Sequence, residues 1–147
     1  MMDRREFLKK CGCAMLAIPT ASILFSSCAS IHYAEVKRER NVLFVSKLEF
    51  IQIKKDEKNY RKYVLLKVPE LGFPISLYRQ EEDEYIATLL KCTHRGCELN
   101  VGGDIYSCPC HGSEFTIEGE VLQGPAEDNL TLFKTDSDSD NIYVYLS

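Results

Sequence analysis

The chain has 147 residues, 45% of them hydrophobic, and a formal net charge of −4. This length suits one domain of ordinary size plus a leader, and the apolar fraction is that of a globular protein. The negative charge provides no basic surface for nucleic acid, so we expect no nucleic-acid partner. Residues 29–147 alone carry 14 Lys and Arg against 20 Asp and Glu, so the part that follows the leader is still more acidic.

Residues 1–28 have the order of an export signal. Arg4 and Arg5 form a twin-arginine pair followed by Phe-Leu-Lys, and an apolar run of about fifteen residues extends from Cys11 to Phe25. A run of this length suits a signal h-region and is short for a spanning helix. We therefore expect export by the twin-arginine route, to the outer face of the cytoplasmic membrane.

The end of the leader leaves three outcomes open. Leu24-Phe25-Ser26-Ser27-Cys28 resembles a lipobox, which predicts lipidation of Cys28 and a membrane tether, whereas Ser27-Cys28-Ala29 also resembles a signal-peptidase site. In the third outcome the leader is not cleaved and stays as an anchor. Residues 29–40 are polar and charged and are predicted to be a tether, in which His32 is a solvated side chain.

From Asn41 onward the pattern is that of β-structure. Short apolar runs alternate with polar turns, and no helical periodicity follows the leader. The runs 50–53 and 63–68, on either side of a charged turn, predict a hairpin. We predict an all-β fold for 41–147, an antiparallel sandwich or barrel into which a small subdomain at about 91–126 is inserted.

The residues that carry chemistry lie in two loops. Residues 92–97 read Cys-Thr-His-Arg-Gly-Cys and residues 108–113 read Cys-Pro-Cys-His-Gly-Ser, with a glycine-turn hairpin between them. A Cys₂His₂ set suits zinc or a two-iron cluster with two histidines on one iron. Structural zinc sites usually space their ligands as Cys-x₂₋₄-Cys and His-x₃₋₅-His, so the pattern here favours the cluster. One spare cysteine in each loop is then free to form a disulfide.

These loops resemble the ligand loops of the Rieske [2Fe–2S] proteins of cytochrome bc-type complexes. The implied ligands of one cluster per chain are two cysteines on one iron, Cys92 and Cys108, and two histidines on the other, His94 and His111. The resemblance also implies a Cys97–Cys110 disulfide and a Ser113 hydroxyl that donates to a bridging sulfide. Residues 123–126, Gln-Gly-Pro-Ala, resemble the loop that covers the cluster. The implied fold is a Rieske-type base domain with an inserted cluster-binding subdomain.

Two positions depart from the quinol-oxidising members of this family. Phe115 stands where those members usually have Tyr, whose hydroxyl bonds to a ligand-cysteine sulfur. Since such bonds stabilise the reduced, more negative state, we expect a lower potential here. Arg95 stands where they usually have an apolar Leu that packs against the quinone-site subunit. A charge at that tip argues against docking on a standard cytochrome b surface.

The function that the resemblance implies is one-electron transfer. The first interpretation is the iron–sulfur subunit of a membrane quinol–cytochrome c reductase-like complex, with cytochrome b and cytochrome c as partners and quinol as donor. The alternatives are a stand-alone exported electron-transfer lipoprotein and the small subunit of a periplasmic molybdenum oxidoreductase. In each case the chain is an electron-transfer subunit of an oxidoreductase rather than a catalyst alone.

Overall fold

The computed structural model describes residues 31–54, 57–81 and 83–146. The predicted twin-arginine pair, the apolar run of the leader and Cys28 lie outside these residues. Within the described ranges, no helix has the length and apolar character needed to cross a membrane.

Strands dominate the described residues, which confirms the predicted all-β class. The helical elements of these ranges are two short 3₁₀ helices, Lys47–Phe50 and Pro69–Leu71. The strands are β1 Val36–Glu39, β2 Val42–Ser46, β3 Ile51–Lys54, β4 Glu57–Tyr60, β5 Tyr63–Leu66, β6 Ile75–Arg79, β7 Tyr85–Leu89, β8 Asn100–Gly102, β9 Ile105–Ser107, β10 Glu114–Thr116, β11 Val121–Gln123, β12 Leu132–Ser137 and β13 Asn141–Tyr145.

A seven-stranded antiparallel sheet, the base sheet, has the order β1-β2-β13-β12-β7-β6-β5. Strands β2 and β13 alternate buried and half-buried side chains, as expected of strands that bury one face. Strand β5 is different because both of its faces are covered. Val64 and Leu66 pack in the core of the base sheet, while Leu65 packs in a second core. β5 therefore lies between two hydrophobic layers.

The second core belongs to a smaller sheet of order β11-β10-β9-β8, the cluster sheet, whose strands have three residues each. Tyr106 and Phe115 are fully buried and are cross-strand partners on β9 and β10. They pack with Leu99, Cys92 and Cys108. Two of the predicted ligands are thus part of a hydrophobic core.

The hairpin predicted from the runs 50–53 and 63–68 is wrong. Strand β3 pairs with β4, which forms within the charged segment, and β5 pairs instead with β6. The reason is burial: β5 is apolar on both faces and is stabilised between the two cores, whereas every residue of β4 stays exposed. A charged segment can form a strand when its side chains remain in water.

Part of the predicted tether belongs to the fold. Strand β1 pairs with β2 along four residues, and the Leu65 N–H donates to the His32 carbonyl at 2.9 Å. The His32 ring is half-buried, with Nε2 2.6 Å from the Glu49 carboxylate, and is not the solvated side chain that was expected. Backbone pairing with a sheet edge orders this polar segment, since it satisfies hydrogen-bonding groups whatever the side chains are. The remaining domain limits stay predictions.

Candidate metal centre

The two predicted ligand loops fold in the same way. In the first loop, the Cys92 N–H donates to the Cys97 carbonyl and the Gly96 N–H donates to the Cys92 carbonyl, both at 2.8 Å. Gly96 has φ +71°, a left-handed conformation that favours glycine. The first residue of the loop is therefore bonded to the fourth and fifth residues that follow it.

The second loop repeats this pattern. The Cys108 N–H donates to the Ser113 carbonyl at 2.8 Å, and the Gly112 N–H donates to the Cys108 carbonyl at 3.0 Å. Gly112 has φ +79°. In each loop, the N–H of a glycine thus donates to the carbonyl of the cysteine four residues before it. Each loop also has a histidine between that cysteine and that glycine.

The predicted ligands differ in exposure according to type. Cys92 and Cys108 are 2% and 4% exposed and are free thiols. His94 and His111 are exposed, and their ring centroids lie 5.0 Å apart with nearly perpendicular planes. The two thiols thus lie in one buried core, and the two imidazoles adjoin each other at the exposed surface.

A disulfide joins Cys97 of the first loop to Cys110 of the second, as the resemblance implied. The two cysteines are 13 positions apart, and their bond closes the hairpin that carries both loops. The sulfur of Cys108 lies within 4.8 Å of both disulfide sulfurs. The disulfide thus fixes the distance between the two loops beside the Cys108 thiol.

A third segment braces both loops. The Ser113 hydroxyl, fully buried, accepts from the Ala126 N–H at 3.0 Å, which leaves its own proton free to donate. The Gln123 amide donates to the Gly112 carbonyl at 3.2 Å, and Thr93 Oγ1 donates to the Asp128 carbonyl at 2.7 Å. Residues 123–126, predicted to cover the cluster, are therefore bonded to the second loop, and Asp128, two residues beyond them, accepts a bond from the first loop.

Polar contacts hold the cluster sheet on the base sheet. Asp104, in the turn between β8 and β9, accepts from Lys62 Nζ at 2.7 Å and from the Tyr78 hydroxyl at 2.6 Å. The Lys62 ammonium and then the Tyr78 hydroxyl lower the pKa of Asp104. On the same side, Thr88 Oγ1 donates to the Ile117 carbonyl at 3.1 Å. The β8–β9 and β10–β11 turns of the cluster sheet are thereby tied to base strands β6 and β7.

Arg95 and Phe115 occupy different environments. Arg95 is exposed at the tip, next to His94, and forms no ion pair with any residue in the ranges 31–54, 57–81 and 83–146. Phe115 is fully buried and packs in the same core as Cys92 and Cys108. The first departure thus changes the surface that a partner meets, and the second changes the surroundings of the buried thiols.

The donor set fits a two-iron cluster. Because the sulfurs of Cys97 and Cys110 are bonded to each other, the thiolates that these loops offer to a metal are those of Cys92 and Cys108. Two thiolates on one side and two imidazoles on the other suit a cluster whose irons carry different ligands. Among the described residues, the group compact enough for a single ion consists of Cys97, Cys108 and Cys110, and two of its sulfurs are already paired.

Comparison with known families agrees with this geometry. Residues 51–134, more than half of the chain, match the family model of the Rieske [2Fe-2S] domain. The chain belongs to this family. Its cofactor is a Rieske-type [2Fe–2S] cluster, one per chain.

Relatives of this Rieske domain include subunits of cytochrome complexes. The chain is 45% identical over 53 residues to the cytochrome b6-f complex iron-sulfur subunit of Synechococcus sp. (strain JA-2-3B'a(2-13)), a match of 35% of this chain and 31% of that protein. The corresponding subunit of one strain of Prochlorococcus marinus is 47% identical over 55 residues, 36% of this chain and 31% of that protein. The chain thus spans about a third of the length of the curated relatives that it matches.

Among solved structures, the chain is similar to the crystal structure of the cyanobacterial plasma membrane Rieske protein PetC3 from Synechocystis PCC 6803. The TM-score is 0.50 and the sequence identity is 31%, over 56% of this chain and 85% of that chain. The likeness supports the Rieske fold described above.

Sequence reasoning missed two residues that position the loops. Thr93 links the first loop to Asp128, and Asp104 links the cluster sheet to Lys62 and Tyr78. A threonine between two predicted ligands was a signal for the first contact. Nothing local indicates the second, because the partners of Asp104 lie 42 and 26 positions away.

Proposed function

We propose that this Rieske domain is a membrane-anchored one-electron carrier whose cluster is held by the four residues of the two loops. The proposed ligands are Cys92 and Cys108 on one iron and His94 and His111 on the other. The observation that carries the proposal is the repeated loop fold, in which each loop presents one buried thiol and one exposed imidazole. Two such loops, held side by side by a disulfide, would supply the four ligands of the cluster.

The chain's own residues perform distinct tasks around that site. When bound, the cluster supplies one reversible electron, at a potential raised by its two neutral imidazoles. Cys92 and Cys108 hold their thiolates inside an apolar core and away from water. Ser113 accepts from the Ala126 N–H and keeps its hydroxyl proton free to donate to a cluster sulfide. The exposed edges of His94 and His111 form the surface at which a partner docks.

The iron–sulfur subunit of a membrane quinol–cytochrome c reductase-like complex is the first proposed context. The relatives at 45% and 47% identity support it, since both are iron-sulfur subunits of a cytochrome b6-f complex. Cytochrome b and cytochrome c are then the protein partners, and quinol reaches the exposed histidines. The match covers only about a third of those proteins, so the context rests on the ligand loops and their surroundings.

A stand-alone electron-transfer lipoprotein is the second proposed context, and Arg95 favours it. Its guanidinium is exposed beside His94 without an ion-pair partner among the described residues. A charge at the docking tip is costly against an apolar surface and suits a wet, transient contact with another redox protein.

For location, we propose the outer face of the cytoplasmic membrane. The twin-arginine pair, the short apolar run and Cys28 support export followed by anchoring. The disulfide between Cys97 and Cys110 also suits an oxidising compartment outside the cytosol.

The ligand assignment is tested with the chain's three histidines. His94→Ala and His111→Ala are expected to abolish the visible absorption and the Rieske-type electron paramagnetic resonance signal of the full-length protein, because each removes a ligand. The matched control is His32→Ala, which removes an imidazole bound to Glu49 rather than one in the loops. This control should keep its iron and its signal.

Retention of the signal in both loop variants, or zinc without iron in the wild-type protein, would refute the assignment. A second experiment distinguishes the two contexts: the full-length protein is purified from detergent-solubilised membranes. Co-purification with a b-type cytochrome supports the reductase subunit, and purification as an isolated membrane-bound chain supports the lipoprotein.

A further inference from the structure

Most of the exposed large apolar side chains of the described residues come from the first half of the described chain, between Ile31 and Tyr60. Within 31–54, 57–81 and 83–146, seven large hydrophobic side chains are exposed, of which Leu122 and Leu132 lie in β11 and β12. The other five lie in the N-terminal segment, the first 3₁₀ helix and the β3–β4 hairpin: Ile31, Tyr33, Leu48, Ile53 and Tyr60. Leu48 and Ile53 have the largest exposed fractions, 71% and 77%. Exposed apolar groups that share a face, as Ile53 and Tyr60 do on the β3–β4 hairpin, indicate an interaction surface.

The β3–β4 hairpin presents these side chains together with cations. Its strands form a two-stranded sheet of their own, and in the register Ile51 faces Tyr60 and Ile53 faces Lys58. Since paired residues share a face, Ile53, Lys58 and Tyr60 lie on one side of the hairpin. The Tyr60 ring has Lys58 Nζ at 5.5 Å and Arg79 Cζ at 4.7 Å from its centroid. This face therefore combines an aliphatic, an aromatic and a basic side chain, and Arg79 of β6 contacts the aromatic ring.

The charge of this segment is opposite to that of the domain. Residues 54–62 contain five basic and two acidic side chains, whereas residues 29–147 as a whole are acidic. A local basic segment in an acidic domain is drawn to anionic surfaces. Tyrosine and lysine side chains suit a membrane interface in particular, because their apolar parts enter the headgroup region while their polar ends stay in water.

The chain enters the domain beside the base of this hairpin. His32 Nε2 is 2.6 Å from Glu49, two residues before β3, and Arg61, directly after β4, donates to the Glu49 carbonyl at 3.1 Å. Cys28 precedes His32 by four residues, which span at most about 14 Å when extended. A lipid on Cys28, or an anchor that ends near it, would hold the base of the hairpin close to the bilayer surface.

We propose that the β3–β4 hairpin is a second membrane contact, which lies on anionic phospholipid headgroups through Ile53, Lys58 and Tyr60. The inference rests on the membrane anchoring proposed above. Two contacts, the anchor and the hairpin, restrict the rotation of the domain about its tether and so orient the cluster loops relative to the bilayer.

The chain contains no tryptophan, so a single introduced one reports on its own position. Ile53→Trp is prepared in the full-length, cluster-containing protein and reconstituted into vesicles of phosphatidylcholine and phosphatidylglycerol. The matched control is Leu122→Trp, at an exposed leucine of the cluster sheet. Phospholipids brominated on one acyl chain should quench the Ile53→Trp emission about twofold relative to unbrominated lipids, because an interfacial side chain reaches the acyl boundary. The control emission should stay unchanged.

Charge dependence sharpens the test. Quenching of Ile53→Trp should weaken in vesicles of phosphatidylcholine alone and on addition of Lys58→Glu. Equal quenching of both tryptophans while the protein stays bound to vesicles would refute the hairpin contact and leave the anchoring proposal intact. Failure to bind vesicles would refute both, but not the ligand assignment, which depends on iron and its resonance signal. If the introduced tryptophan of Ile53→Trp is shielded from solvent in native membranes but not in vesicles, a membrane protein covers the hairpin. That result would overturn the lipid contact.

Discussion

The base sheet and the cluster sheet are stabilised in different ways. The base sheet has strands of four to six residues and a core made mainly of aliphatic side chains around Phe50. The cluster sheet has three-residue strands, and its core includes two cysteines, a tyrosine and a phenylalanine. A disulfide and left-handed glycines shape its loops.

The comparison shows that burial of apolar surface stabilises the base sheet, whereas cross-links and specific contacts stabilise the cluster sheet. Long strands with buried leucines and valines obtain stability from the removal of apolar surface from water. Strands of three residues have few ladder bonds and little surface to bury, so the cluster sheet depends on the disulfide, on contacts such as those of Asp104, and on ligand binding. Mutations in the base sheet should therefore lower the stability of the whole domain, whereas mutations in the cluster sheet should act locally.

The largest effect is expected from a cavity in the base core. Leu66→Ala, at a side chain with no exposure, should lower the free energy of unfolding by about 2–5 kcal/mol, through lost burial and an unfilled cavity. The iron content of the protein that remains folded should not change. Urea unfolding followed by circular dichroism, together with iron analysis, measures both. Leu122→Ala on the surface is the control, and an equal loss in the two variants would contradict the role of the base core.

Removal of the disulfide should act on the cluster sheet alone. In Cys97→Ala/Cys110→Ala the loops lose a covalent link between positions 13 apart. The chain-entropy model puts the resulting loss of stability at about 3 kcal/mol at most. Amide hydrogen exchange should accelerate at Gly96 and Gly112 and stay unchanged at Val64 in the base core. Reduction of the wild-type disulfide provides the comparison. Uniform acceleration throughout the domain would show that the two sheets do not have separate stabilities.

The smallest expected effect concerns the electronic surroundings of the site. Phe115→Tyr places a hydroxyl in the core that contains Cys92 and Cys108, and a new hydrogen bond to a ligand sulfur should stabilise the reduced state. A bond worth about 1 kcal/mol corresponds to a midpoint raised by roughly 40 mV for one electron. Redox titration followed by electron paramagnetic resonance measures the shift. Phe50→Tyr in the base core should leave the midpoint unchanged, and an unchanged or lower midpoint in Phe115→Tyr would contradict the mechanism.

The sequence by itself was enough for the class of fold and for the two candidate loops. Strand runs are local patterns, and so is the spacing of Cys92, His94, Cys108 and His111, because each depends on residues a few positions apart. The disulfide partners followed from a family resemblance that is also local in the chain, and the structure joins them. The four ligand assignments, the leader and the location remain predictions.

Only the tertiary structure decided which strands pair and what holds the loops. That β5 pairs with β6 rather than β3 follows from its place between two cores, which no single segment specifies. The Thr93–Asp128 and Asp104–Lys62 contacts join residues 35 and 42 positions apart, and the repeated hydrogen-bond pattern of the loops appears only in coordinates. Such contacts depend on how elements pack, because the energy that selects a partner comes from burial and hydrogen bonding across the whole domain rather than from neighbours in sequence.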